Sequence, residues 1–444
     1  MLLGRSRESG SRSWLGPAVI CGAMAGLYLW FVHAYGVNVP FEDEWHMVTL
    51  LASVHHGQLS INMLWAQHNE NRMLFAYLVL LVLELTSHFN TTVEMYASAA
   101  LLLAAIVLIW RLHRTTAGGW SWGLVPAALV LLSLAQFTIS LQGFAVAIYM
   151  VIASFALAMW LLERSSDRPW LLGLAVLVAV IGSYSSIQGL AIWPAGIAYF
   201  VVRHRSQRQI LLWTGAGLAT SALYLVGFNW ALTGGGGVGS ALSQPLLSLH
   251  YLALLVGSAV PQSSLLHLDQ RTLSVLGIVI LAAVAAIYFV AYRLRPAPEM
   301  AVAIAIITLG LVVDLLNTLG RAGEGVPYAA SGRYVVFNLW LLAGVWLGAL
   351  EAWRLLRKKS AVPTLALSGA AVLVGLQIGL SLHSGLIAGQ DLHKQREVAV
   401  RLVAHYANSQ PALVRQDVYP SYSVFVERAM ILRHLRLSVF ARVG

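Results

Sequence analysis

The chain has 444 residues, of which 59 % are hydrophobic and only 10 % charged, with a mean hydropathy of +0.74. A soluble domain carries about 25 % charged residues, so this composition excludes a water-soluble globule with one buried core. The net charge of +10 raises nucleic acid as a partner. However, the basic residues sit in short clusters between apolar runs, the positive-inside pattern of a membrane protein, and no nucleic acid is expected.

Apolar runs recur near 14–36, 95–112, 120–138, 143–162, 169–184, 188–203, 209–228, 272–292, 299–319, 334–353 and 361–382. A transmembrane β-barrel would show alternating segments of about ten residues. These runs are instead continuous and rich in Leu, Ala and Val. The sequence therefore predicts an all-α polytopic membrane helical bundle, with about 11 transmembrane helices plus juxtamembrane helices. The first run follows Arg5, Arg7 and Arg12 and continues well past Ala23 and Ala25, as an uncleaved signal anchor does. It holds Cys21, the one cysteine, so no disulfide can form within the chain.

Two stretches, Met73 to Ser87 and Leu249 to Val260, are short against the ~20 residues a span needs. Counting either one alone as a crossing would invert every later loop. They are read as juxtamembrane or re-entrant helices against the outer face. Arg111/Arg114, Arg164/Arg168, Arg203/Arg205/Arg208, Arg293/Arg295 and Arg354/Arg357/Lys358/Lys359 then mark alternate junctions as cytoplasmic. The expected arrangement is an integral protein of a bacterial-type inner membrane, N-terminus inside and C-terminus outside. Residues 1–382 form its transmembrane part, with a first outer loop at about 37–94, and 383–444 form a small extracytoplasmic tail. Long ordered loops in a compact protein are usually functional, so function is expected on the outer side.

The first outer loop is the richest in chemistry. It contains Glu42-Asp43-Glu44 and then His68-Asn69-Glu70-Asn71-Arg72. Carboxylates beside a membrane need a partner, a cation or water. Asp43, Glu44 and Glu70 are therefore candidate catalytic groups, with Asp43 and Glu44 suited to general base work or to holding a divalent cation, while Glu42 fits a helix start. Asp43, Glu44 and His68 could share a divalent metal ion, although their spacing matches no strict metal motif. On the far side of the sequence, Gly320-Arg321-Ala322-Gly323-Glu324-Gly325 precedes Arg333-Tyr334. Guanidinium groups grip phosphate with a bidentate fork. Substrate or phosphate contacts are thus expected from His68, Asn69, Arg72, Arg321, Arg333 and Tyr334. Asp314 and Asn317 lie within the preceding span, where a carboxylate leans towards function. Gln142, Gln188 and Asn229 fall at outer span ends and suit either a substrate groove or interhelical bonding. The glycine run 234–237 has no strand-helix unit around it and is not a nucleotide fingerprint. His250, His267 and Asp269 carry no assignment.

With Asp43-Glu44 just outside the first span, the chain resembles the GT-C superfamily of membrane glycosyltransferases. That superfamily includes protein O-mannosyltransferases and the transferase that adds aminoarabinose to lipid A. The likeness covers about the first 140 residues, and His68-Asn69-Glu70-Asn71-Arg72 looks like a motif of bacterial relatives. The resemblance implies transfer of a sugar from a polyprenyl-phosphate donor to a glycan, lipid or protein acceptor on the outer face. Asp43 would then act on the acceptor hydroxyl, with Glu44 and Glu70 in support or binding a cation. Arg321 and Arg333 would neutralise the departing lipid phosphate, and grooves between spans would hold the prenyl chain among membrane lipids. Two alternatives stay open: a transporter or flippase, and a polymerase or ligase of lipid-linked surface polysaccharide.

Overall fold

In lipid, every backbone N–H and C=O must be paired within the protein, which leaves helices as the economical solution for apolar runs of this length. The computed structural model describes residues 15–118, 121–232, 237–262, 265–266, 268–358 and 360–441. Arg5, Arg7, Arg12, residues 234–236 of the glycine run, His267 and Lys359 lie outside the described residues.

The chain is an all-α polytopic membrane bundle. The helices are α1 (Leu15–Tyr35), α2 (Trp45–His55), α3 (Ile61–Trp65), α4 (Leu74–Ser87), α5 (Thr91–Ala117), α6 (Val125–Leu131) and α7 (Phe137–Ser140). They continue as α8 (Val146–Arg164), α9 (Trp170–Ser183), α10 (Ile192–Val202), α11 (Gln207–Leu225), α12 (Gly237–Ser243), α13 (Pro245–Gly257) and α14 (Gln270–Arg293). The last five are α15 (Ala301–Arg321), α16 (Val335–Leu356), α17 (Val362–Ala404), α18 (Pro411–Asp417) and α19 (Tyr422–Leu435). One small hairpin, β1 (Gln67–His68) with β2 (Asn71–Arg72), sits between α3 and α4.

Among the described residues, eight helices are long and apolar enough to cross a membrane. They account for eight of the eleven expected spans. The other three correspond to α9, to Ile187–Val202 and to α11; the first two fall in the shorter apolar class. All three still run between the same two ends of the bundle. At one end Glu163 of α8 meets Arg203 after α10, and Gln209 of α11 meets Ser165. At the other, Ser186 after α9 bonds Asn71, and Tyr224 of α11 bonds the hairpin. We call the first the basic end and the second the cavity end.

The helix α4 does not traverse. The Phe75 amide at its start donates to Tyr184, and His88 at its end accepts from Ser438, both at the cavity end. The pair α12–α13 bends by 107°, the shape of a broken span or a re-entrant segment. Gly257 and Gly277 let α13 and α14 touch backbone to backbone, since a Cβ on Gly277 would collide with the Ala253 carbonyl.

At the hub stands α16, buried along its whole apolar window. Gly310, Gly344 and Gly348 let α15 and α14 close on it at Leu341, Ile307 and Ile287. The outer helices expose Leu211, Leu218, Val362 and Leu365, as a lipid-facing surface requires.

The sequence places a boundary at 382–383, but the structure has none there. The helix α17 runs unbroken for 43 residues, about 65 Å at 1.5 Å per residue. No proline interrupts it after its first turn. Gly385 and Gly389 seat it against Leu134 and Phe31. Beyond it, α18 and α19 fold back onto α2, and Trp45, fully buried, packs edge-on against Phe425 with ring centroids 5.4 Å apart. The tail and the first loop thus share one apolar cluster with Leu50, Leu51, Tyr77 and Leu432.

Candidate functional site

Asp43 stands in the single turn Glu42–Glu44 that leads into α2. That turn is closed by Glu44, whose Oε2 accepts from the Phe41 amide at 2.9 Å, a side chain reaching back three residues as in a capping box. The other oxygen of Glu44 accepts from the Phe144 amide at 3.0 Å. Glu44 is thereby turned inward and buried, away from the cavity, while its neighbour Asp43 is left at the cavity wall with half its side chain exposed.

His68 on β1 places its Nε2 3.3 Å from the Asp43 carboxylate. Burial works against the Asp43 charge, but His68, followed by the Arg333 and His46 charges, outweighs it and holds Asp43 below the ordinary carboxylate range. His46, one turn further on, lies with its ring centroid 5.0 Å from that of His68. Burial, followed by the His68 and Arg428 charges, pushes His46 down to about 4, so it is neutral at physiological pH.

The hairpin carrying His68 is held from behind by Arg72. Its Nε donates to the Tyr224 carbonyl at 2.7 Å, and its two terminal nitrogens donate to Trp65 and Val226 at 2.9 and 2.6 Å. The Tyr224 hydroxyl closes the clamp, accepting from the Arg72 amide and donating to the Glu70 carbonyl, both at 2.9 Å. Asn71 Oδ1 accepts from the Ile187 amide and the Ser186 hydroxyl, each at 3.0 Å. Arg72 is thus a buried fastener, not a cavity donor as the sequence led us to expect. Asn69 takes a left-handed φ of 52° at the hairpin tip, a conformation asparagine tolerates.

Across the cavity, Arg321 closes α15. One terminal nitrogen donates to both Glu70 oxygens at 2.8 and 2.7 Å, and the other donates to Glu324 at 2.7 Å. Arg333 enters from the turn before α16, with its guanidinium carbon 5.4 Å from the Tyr328 ring centroid. A Cβ on the preceding Gly332 would lie 2.5 Å from Thr138 Oγ1, so glycine is what lets this turn approach α7. Among the described residues Arg333 forms no ion pair.

Asp43, His68, Asn69, Glu70, Arg321, Arg333 and Tyr334 therefore line one cavity of about 140 Å³ at the cavity end. Of the nine residues expected from the sequence, seven converge; Glu44 and Arg72 do not. Gln142, Gln188 and Asn317 join the lining, as do Phe144, Ser186 and Phe337, which carried no sequence signal. Asp314, one turn below Asn317, is fully buried, and neither of its oxygens has a hydrogen-bond partner among the described residues. Among the described residues no three His, Cys, Asp or Glu side chains converge as a metal-holding group. With Glu44 committed to two backbone amides, the trio Asp43, Glu44 and His68 does not fit a shared cation.

No family model matches the sequence, and neither a curated protein nor a solved structure matches the chain. The chemistry of the cavity must therefore be argued from its own residues.

Proposed function

We propose that the protein is a membrane glycosyltransferase that moves a sugar from a polyprenyl-phosphate carrier to an acceptor hydroxyl. In this reading the membrane is a bacterial-type inner membrane. The basic end, with short loops bearing Arg111, Arg164, Arg203 and Arg354, faces the cytoplasm, and the cavity opens on the outer face. One observation carries the reading: a half-exposed carboxylate, Asp43, shares a small cavity with two guanidinium groups, Arg321 and Arg333.

The division of labour follows from charge. Glycosyl transfer breaks the bond between the anomeric carbon and a phosphate oxygen, and the leaving phosphate keeps the electron pair. Arg321 and Arg333 stand where that negative charge would grow, and fixed cations in a water-poor site stabilise it strongly. Asp43, ionised at neutral pH, accepts the proton of the acceptor hydroxyl as its oxygen bonds to the anomeric carbon. His68 holds the Asp43 carboxylate in place. No step is assigned to a metal ion.

The test is an Asp43→Asn variant that inserts and melts like the parent, assayed for transfer from a radiolabelled lipid-linked sugar pool in membrane vesicles. Loss of transfer supports the assignment; full retention removes Asp43 from the mechanism. A second reading, substrate transport, draws on the 107° bend between α12 and α13 and on the fully buried Asp314 within a span. Uptake into proteoliposomes without any change in glycan would select it.

A further inference from the structure

The cavity contains a tension that the proposed function must resolve. Arg321 is one of two cations placed for a phosphate, yet both of its terminal nitrogens already face carboxylates. Glu70 takes both bonds from one nitrogen and Glu324 takes the other nitrogen. A carboxylate and a phosphate present the same pair of acceptor oxygens to a guanidinium fork, so they compete for one place. A phosphate can take the nitrogen that Glu70 holds only when that carboxylate leaves.

The fold distinguishes the two. Glu324 lies three residues beyond Arg321, in the short turn that follows α15, and moves with it. Glu70 lies 251 residues away, at the tip of the hairpin. The hairpin body is fixed by Arg72 and Asn71, but the Glu70 side chain keeps 24 % of its surface exposed. It can therefore swing into water by side-chain rotation alone. Replacing it with a phosphate exchanges one anion for another, so the pocket never holds an unpaired buried charge.

We propose that the Glu70 carboxylate occupies the phosphate subsite of Arg321 and is displaced when a phosphate-bearing lipid enters. This rests on the glycosyltransferase reading for the identity of the lipid. The exchange makes Glu70 a ligand-displaced latch rather than a base. It also lets the same hairpin register the ligand at Glu70 and hold Asp43 through His68.

Binding of farnesyl phosphate, farnesol and inorganic phosphate to the purified full chain in detergent tests this. The parent, Glu70→Gln and Glu324→Gln are compared. Glu70→Gln should bind farnesyl phosphate at least about tenfold more tightly than the parent, because a charge-assisted competitor is gone. Glu324→Gln should differ by less than about threefold, because its acid does not hold the contested nitrogen. Unchanged or weaker binding by Glu70→Gln, with the parent still preferring farnesyl phosphate to farnesol, overturns the latch and leaves the arginines as phosphate ligands. No preference for phosphate over alcohol in any form overturns both proposals. Equal affinity for inorganic phosphate, still enhanced by Glu70→Gln, keeps the exchange at Arg321 and removes the lipid carrier. Should Glu70→Gln fail to fold, carbodiimide labelling of the parent decides. Glu70 modification should rise when farnesyl phosphate is added, and an unchanged or reduced yield overturns the displacement.

Discussion

The two ends of the bundle both gather charge, but they use it differently. At the basic end, Glu163 receives Arg203, Arg205 and the Tyr199 hydroxyl at once, and Glu351 lies between His113 and Arg354. Those acids are largely buried and have no capacity left for a ligand. At the cavity end, Asp43 has the His68 ring beside it and an exposed edge, and Arg333 faces the cavity without an acid of its own among the described residues. What separates a structural charge cluster from a candidate site here is therefore not the count of charges. It is the bonding capacity left over after the fold has been satisfied.

That contrast can be broken experimentally. The largest effect is expected for Asp43→Asn, which should lower sugar transfer in vesicles by roughly a hundredfold or more with little shift in melting temperature. A variant that is equally active but less stable would make Asp43 a structural acid like Glu163. Arg333→Gln should follow, lowering transfer by about tenfold to a hundredfold, as one lost charge-assisted contact to the leaving group would. Its thermal stability should stay near the parent value. Glu163→Gln should do the reverse. Removing the acid from two guanidinium groups that are mostly covered should cost about 2 kcal/mol of stability, seen in thermal or denaturant unfolding, while transfer per folded molecule is preserved.

The smallest effect expected is a pH slope. Burial raises Glu84 well above the ordinary range, followed by the Glu44 charge, and burial also raises Glu44 despite the Arg396 charge. Acids raised in the folded state contribute stability that is full at low pH and lost as pH climbs through their folded values. Above about pH 7.5 His46 is neutral in both states, so it adds no slope there. Above that point melting temperature should fall as pH rises, and Glu84→Gln should flatten that fall. A rising curve, or one that Glu84→Gln leaves alone, would show that these acids do not set it.

Much of this could be read in the sequence because membrane insertion imposes one strong rule. Runs of apolar residues separated by arginines give the helices and their alternation, and the structure follows that pattern even where α9 and α10 are short. The convergence of Asp43 with Arg321 and Arg333 was also legible, because few acids and arginines fall in the loops of that one end. Glu44 and Arg72 were not. Glu44 carries the same carboxylate as Asp43 and Arg72 the same guanidinium as Arg321 and Arg333, and it is the backbone groups of Phe144, Tyr224 and Val226, far along the chain, that turn them away from the cavity. The continuation of α17 was missed for a related reason. Falling hydropathy after residue 382 marks the exit from apolar surroundings, but hydropathy alone cannot tell a helix that leaves the membrane from one that ends there.

That continuous helix has a mechanical consequence. A hydrocarbon core is ~30 Å thick, so about half of α17 stands clear of it, and the far end leads directly into α18 and α19 over the first loop. A rod without a hinge passes axial displacement along its length undiminished. A thicker or thinner bilayer, by shifting the depth at which α17 is anchored, would raise or lower the roof over Trp45 and the turn that presents Asp43.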